Sequence, residues 1–92
     1  MNTQQFNPPH PGEIIRRTYI DPFAHISVNG IARALKVNKS TFNRLVNGKS
    51  DISPEMALRL SAVLGRSPES WLLIQNNYNL WLARKTVDTQ LL

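Results

Sequence analysis

The chain has 92 residues, of which 11 are lysine or arginine and 6 are aspartate or glutamate, giving a formal charge of +5 and a pI of about 10.3. A chain of this length predicts one domain, and its basic excess favours a polyanionic partner such as nucleic acid. It contains no cysteine, which excludes disulfide scaffolds, thiolate zinc sites and cysteine nucleophiles, and no secretory signal or membrane span is expected from its polar start and short apolar runs.

The amino-terminal third of the chain predicts an arm and one helix. Residues 1–9 are polar and hold two prolines, so we expect a flexible arm. Pro11 suits the first position of a helix, which we expect to run to about Ile20, where an Asp-Pro pair ends it. Ile14, Ile15, Thr18 and Tyr19 are predicted to share one face of this helix.

Cap residues mark four further helices. Ser27 is a suitable N-cap for a second helix over 28–35, and Asn38 for a third that ends at Gly48. Two Ser-Pro-Glu triplets then each combine an N-cap, a first-position proline and an early acid. They predict helices from Pro54 to Leu64 and from Pro68 to about Lys85. No alternating stretch is long enough for a strand, so we expect an all-α fold of five helices over 10–85, with 86–92 as a tail.

The net charge is concentrated in one window of the sequence. No acidic residue lies between Asp21 and Asp51, while the other six basic residues of the chain are matched by its six acidic ones. The five basic residues of this window are Arg33, Lys36, Lys39, Arg44 and Lys49.

The same window has the spacing of a helix-turn-helix motif. Only residues 36–38 separate the second and third helices, which forces a sharp angle between them and predicts the motif over about 28–47. The core side of the motif is predicted to be Ile31, Ala32, Leu35, Val37, Phe42 and Leu45. Burying these leaves a polar face without carboxylates on the third helix, and an α-helix fits the major groove of DNA.

Two sets of DNA contacts follow from this arrangement. Donor-rich residues near the start of the second helix of such a motif read bases, and flanking cations contact phosphates. The predicted base-reading residues are Lys39, Ser40, Thr41, Asn43 and Arg44. The predicted phosphate contacts are Arg33, Lys36, Asn47 and Lys49.

Three stretches around the motif resemble the HigA-type antitoxins of bacterial toxin–antitoxin modules, within the Xre/Cro-like repressor family. They are HPGEII at 10–15, ISPEMALRLSAVLG at 52–65 and SPESWLLIQNNYNLW at 67–81. The resemblance implies a lambda-repressor-like domain in the bacterial cytoplasm. It also implies a homodimer that binds a palindromic operator in its own promoter, and a HigB-type mRNA endonuclease toxin that the antitoxin neutralises by binding. Lys36 stands where that family commonly has glycine.

The fifth helix predicts a dimer interface. Apolar residues surround it more widely than one side of a thin core can cover, and tryptophan and tyrosine are enriched at interfaces. The predicted interface residues are Trp71, Ile74, Tyr78, Leu80 and Trp81. The alternative is that this helix is simply central to the core of one protomer.

Catalytic and metal chemistry find little support in the sequence. The two histidines, His10 and His25, have no acid pair at ligand spacing, and His10 is expected beside the first turn of the first helix. No base is placed to activate a serine or threonine, so we expect neither an enzyme nor a cofactor nor a metal. Two alternatives to the antitoxin remain: a repressor of the same family without a toxin partner, and a basic module that binds protein or RNA.

Overall fold

The computed structural model describes residues 7–92, and these form five α-helices with no β-strand within that range. The predicted all-α class is confirmed. The helices are α1 (Pro11–Ile15), α2 (Val28–Leu35), α3 (Lys39–Val46), α4 (Pro54–Leu64) and α5 (Pro68–Thr86), with a π-helical turn at Arg16–Ile20 and a 3-10 turn at Thr89–Leu91. The greater part of the expected flexible arm, residues 1–6, lies outside the described residues.

Four of the helices begin at the side-chain caps that the sequence predicts. The hydroxyls of Ser27, Ser53 and Ser67 accept hydrogen bonds from backbone amides three residues ahead, at 2.9, 3.1 and 3.0 Å. The side chain of Asn38 accepts from the amide of Ser40 at 3.3 Å. Each cap satisfies an amide that the first turn of a helix leaves without a partner.

The first helix departs from its predicted register. After Ile15 the chain widens into a π-helical turn, closed by a hydrogen bond of 2.8 Å from the amide of Asp21 to the carbonyl of Arg16. With the extra residue in this turn, Thr18 is exposed and does not share the face of Ile14, Ile15 and Tyr19 as predicted, whereas Ile20 packs against the core.

The core forms where α2, α3 and α4 meet α1 and α5. Five of the six predicted core residues of the motif are buried, and the sixth, Val37, is half-buried against them. The buried apolar residues are Ile15, Ile31, Ala32, Leu35, Phe42, Leu45, Val46, Ile52, Met56, Ala57, Leu60 and Trp71.

Trp71 belongs to this core, and its prediction as a dimer contact is wrong. Its relative exposure is 0%, its indole Nε1 donates to the carbonyl of Gly65 at 2.9 Å, and its ring lies 6.3 Å from that of Tyr19. An enclosed side chain has no surface to offer a second protomer. Of the other predicted interface residues, Ile74, Tyr78 and Trp81 are half-buried and Leu80 is exposed.

None of the helices in residues 7–92 combines the length and the hydropathy needed to cross a bilayer.

Candidate nucleic-acid interface

Helix α3 is supported from behind by α1 and α2, and its front is open. Its buried residues are Phe42, Leu45 and Val46. The five predicted base-reading residues, Lys39, Ser40, Thr41, Asn43 and Arg44, are all exposed. The four predicted phosphate contacts, Arg33, Lys36, Asn47 and Lys49, are exposed as well. The motif thus presents a polar ridge on one side of an apolar helix pair.

At the start of α3, Asn38 fixes the side chain of Ser40. The Oδ1 atom of Asn38 accepts from the backbone amide of Ser40 and also from its hydroxyl, at 3.1 Å. The hydroxyl proton of Ser40 is therefore occupied. In this rotamer the oxygen offers lone pairs to an incoming donor, such as the exocyclic amine of adenine or cytosine.

At the end of α3, Arg44 and Lys49 are coupled. The Arg44 guanidinium donates to the Lys49 carbonyl at 3.2 Å, and the Lys49 amide donates to the Arg44 carbonyl at 2.8 Å. Gly48 takes a positive φ of 74° between them, the backbone form that commonly ends a helix. The contact holds the Arg44 guanidinium and the Lys49 backbone beside the helix end.

Arg16 is a cation at this end of α3 that the sequence did not indicate. Its guanidinium donates to the side-chain oxygen of Asn47 at 3.0 Å. Asn47 is the residue that follows α3, so this bond joins the first helical segment to the end of the ridge. Arg16 lies outside the acid-free window, and no local pattern signals a contact across 31 residues.

His10 and Gly12 set the start of α1 against the end of α3. The Nδ1 atom of His10 accepts from the Gly12 amide at 2.9 Å, and Nε2 donates to the Ser50 carbonyl at 3.1 Å. The imidazole is thus neutral, and both nitrogens are used. Burial lowers the pKa of His10 from its ordinary value of 6.5, against the opposing effects of the Ser50 hydrogen bond and the Asp51 and Glu13 charges. Its expected place beside the first turn is confirmed.

The turn between α2 and α3 is held by a residue of α4. Lys36 adopts the left-handed conformation, with φ 59° and ψ 42°. The Arg59 guanidinium donates to the carbonyls of Leu35 and Lys36, at 2.8 and 3.4 Å, and its other nitrogens bind the Glu55 carboxylate at 2.8 and 3.2 Å. In the sequence, Glu55 and Arg59 show only as a surface pair four residues apart.

The basic residues of the ridge form no ion pair with a carboxylate in the described part of the chain. Within residues 7–92 the structure has two ion pairs, Glu13–Arg17 and Glu55–Arg59, and both lie on other helical segments. No ion pair of the described residues therefore neutralises the positive charges of the basic residues in α2, α3 and the loop that follows α3. Such a surface attracts a polyanion.

Comparison with known proteins places this arrangement in a family. A helix-turn-helix family model matches residues 24–71, which include α2, α3 and α4. The chain is 44% identical over 82 residues to the HTH-type transcriptional regulator YddM of Escherichia coli K12, covering 89% of this chain and 85% of that protein. It is 33% identical to antitoxin HigA-1 of Vibrio cholerae, over 91% of this chain and 78% of that protein.

A solved structure adds a complex with DNA. The Pseudomonas aeruginosa antitoxin HigA, determined with the higBA promoter, matches with a TM-score of 0.83 and 38% identity, over 91% of this chain and 90% of that one. The family model, the relatives and the solved structure agree with the helix-turn-helix arrangement of α2 and α3. The chain belongs to the helix-turn-helix family, in the group that contains the HigA-type antitoxins.

Proposed function

We propose that this protein is an antitoxin and a sequence-specific DNA-binding repressor of its own toxin–antitoxin operon. The observation that carries the proposal is the ridge of α3, which is exposed, cationic and free of carboxylates while its opposite side is core. The likeness to an antitoxin determined with its promoter supports DNA as the partner of this ridge.

The ridge divides into residues that read sequence and residues that set register. Donors such as the Arg44 guanidinium pair with guanine O6 and N7, and the Thr41 methyl suits thymine. The cations before and after α3, Arg33, Lys36 and Lys49, suit phosphates. Base discrimination is therefore expected from α3, and the salt dependence of binding from the cations that contact phosphate.

A two-fold dimer completes the site. Leu73 and Leu80 are 57% and 43% exposed and lie seven residues apart on α5, so they share one face of the helix. Two exposed leucines on one face suit an interface between copies. Two copies related by a two-fold axis present two α3 helices to successive major grooves, about 34 Å apart. The proposed operator is accordingly a palindrome.

The proposed toxin partner is a HigB-type mRNA endonuclease that this chain neutralises by direct binding. Support comes from the likeness to the antitoxins HigA-1 of Vibrio cholerae and HigA of Pseudomonas aeruginosa. Repression of a bacterial operon places the protein with the chromosome, in the cytoplasm. The proposed role requires neither catalysis nor a cofactor.

Fluorescence anisotropy tests the DNA-binding half of the proposal. A labelled duplex from the promoter of its own operon is titrated with the protein, and a scrambled duplex of equal length and composition serves as control. Affinity for the promoter at least 1000-fold higher than for the control is expected of a specific binder. Equal affinity for both duplexes contradicts sequence-specific repression and favours a basic module for protein or RNA.

Co-expression tests the antitoxin half. The reading frame adjacent to this gene is expressed with and without this chain, and growth and co-purification are recorded. Rescue of growth together with a stable complex is expected. If the neighbouring product is harmless and does not bind, the protein is a repressor without a toxin, a reading that the likeness to the regulator YddM also allows.

A further inference from the structure

The guanidinium of Arg59 lies at the point where the chain leaves α2. Its Nη1 atom donates to the Leu35 carbonyl at 2.8 Å and to the Lys36 carbonyl at 3.4 Å. Leu35 is the last residue of α2 and Lys36 is its C-cap, and the carbonyls at the end of a helix lack hydrogen-bond partners within it. The contact spans 24 residues and joins α4 to the turn of the motif.

The turn needs such a contact because Lys36 is not glycine. Its φ of 59° is in the left-handed region, which a side chain with a β-carbon disfavours. Glycine is the usual residue where a helix ends this way. Here the amides of Lys36 and Val37 bond back to α2 from one side, and Arg59 binds the carbonyls from the other.

Glu55 holds Arg59 in place for this contact. Its carboxylate accepts from Nε and Nη2 of Arg59 at 3.2 and 2.8 Å. Both bonds go to one carboxylate oxygen, Oε2, on the Nε–Nη2 edge of the guanidinium, which leaves the remaining nitrogen, Nη1, for the turn. Because Glu55 also neutralises the guanidinium, Arg59 is poorly suited to contact a phosphate itself.

We propose that Arg59 is a positioning residue for DNA reading, which acts by fixing the turn that sets the amino-terminal end of α3. The inference rests on the proposed DNA-binding function. The two ends of α3 are held by different contacts: the turn by Arg59, and the carboxyl end by Gly12 against the Leu45 backbone and by Arg16 on Asn47. Loss of the Arg59 contact therefore displaces the start of α3 about a fixed far end.

The consequence is a localised loss of base preference. Residues near the turn, Lys39 and Thr41, shift relative to the bases, whereas Arg44 near the fixed end stays in place. We expect Arg59→Met to lower the ratio of operator to scrambled affinity about tenfold, the scale of one lost bidentate base contact. The loss should fall on base pairs facing the start of α3.

The experiment compares Arg59→Met, Arg59→Lys and Glu55→Gln with the native dimer. Anisotropy is measured on the promoter duplex, on a scrambled duplex and on a set of duplexes with single base-pair changes, at several salt concentrations. Arg17→Met is the matched control, since Glu13–Arg17 is also an i,i+4 ion pair, and within residues 7–92 Arg17 makes no hydrogen bond to a turn carbonyl. Thermal melts confirm folding, and Glu55→Gln serves if an Arg59 variant does not fold.

Three results are expected of a positioning residue. Discrimination falls for Arg59→Met, Arg59→Lys and Glu55→Gln but not for Arg17→Met. The slope of log affinity against log salt stays unchanged, whereas loss of a phosphate contact reduces it by about one. The effect of Arg59→Met also shrinks in a Lys36→Gly background, because glycine relaxes the turn.

Other outcomes overturn the inference. Undiminished discrimination in folded Arg59 variants shows that the turn does not need Arg59. Undiminished discrimination in Glu55→Gln overturns the part of the inference in which Glu55 holds Arg59 in place. A reduced salt slope shows instead that Arg59 contacts phosphate directly. If the native protein does not distinguish promoter from scrambled DNA, the proposed function itself fails, and this result is separable from the others.

Discussion

Gly12 lies directly against the carbonyl oxygen of Leu45, with no room for a side chain between α1 and α3. A β-carbon built at position 12 overlaps that oxygen and comes within 2.9 Å of the Val46 carbonyl. Backbone carbonyls of a helix cannot move aside as a side chain does. The His-Pro-Gly start of α1 thus packs directly against the carboxyl end of α3.

We therefore expect Gly12→Ala to lower the free energy of unfolding by about 1–3 kcal/mol or more, the cost of overpacking a core. Urea denaturation measures it. Gly30→Ala is the control: its β-carbon meets only the Ser27 hydroxyl, at 3.1 Å, and alanine is the better helix former. A Gly12→Ala protein as stable as Gly30→Ala contradicts the close approach.

His10 predicts a pH dependence of stability. Since its pKa is lowered in the folded state, the unfolded chain takes up the proton first as the pH falls. The stabilising contribution of neutral His10 is complete above pH 6.5, the ordinary pKa of histidine. It is lost as the pH falls from 6.5 through the lower pKa of the folded state. Protonation of Nδ1 also removes the acceptor for the Gly12 amide.

The test is the free energy of unfolding between pH 7.5 and 5 for the native chain and for His10→Asn, since asparagine is a non-titrating cap. The native protein should lose more stability across this range than the variant does. Parallel curves would falsify the role of His10.

Arg44 and Lys49 are expected to contribute to DNA binding in different ways. Arg44→Ala removes a base-reading donor. It should weaken the free energy of operator binding by about 1–3 kcal/mol and reduce the discrimination between bases at one base pair of each half-site. Lys49→Ala removes a phosphate contact, and should weaken promoter and scrambled duplexes alike and reduce the salt slope by about one. Anisotropy over a salt series separates the two, and an Arg44→Ala protein with intact preference refutes its assignment.

The exposed face of α5 predicts that a charged substitution on it converts the dimer into a monomer. Leu80 is exposed in one protomer, and a charge there should be costly once buried between two copies. Leu80→Asp should give a monomer in light scattering, while Leu58→Asp on α4, where the leucine is 61% exposed, should leave the mass unchanged. A dimeric Leu80→Asp moves the interface elsewhere.

A substitution of Trp71 tests whether this residue of α5 belongs to the core or to a dimer interface. Truncation of a buried tryptophan costs about 3–5 kcal/mol, so Trp71→Ala should lower the urea midpoint rather than produce a folded monomer. A folded, native-like monomer would restore Trp71 to the interface.

Local signals explain which parts of this fold were predictable. The caps Ser27, Asn38, Ser53 and Ser67 act within three residues, so the sequence places the helix starts correctly. The short link between α2 and α3 likewise suffices to place the core on one side and the polar ridge on the other.

Contacts between distant residues explain what was missed. Apolar residues occur on all sides of α5, so their spacing along the sequence does not show that Trp71 faces the core and Leu80 faces the solvent. The π-helical turn after Ile15 depends on packing that a 3.6-residue period does not describe. The Arg59 contact with the turn and the Arg16 contact with Asn47 join residues 24 and 31 positions apart, beyond the reach of any local pattern.

Dimethyl sulfate footprinting of the promoter tests the central claim most directly, because the reagent methylates guanine N7 in the major groove and adenine N3 in the minor groove. If the α3 ridges of a dimer enter successive major grooves, bound protein should protect guanine N7 in two patches about 10 base pairs apart and leave adenine N3 reactive between them. Saturating protein with unprotected guanine N7, or protection confined to adenine N3, would contradict a ridge that reads the major groove.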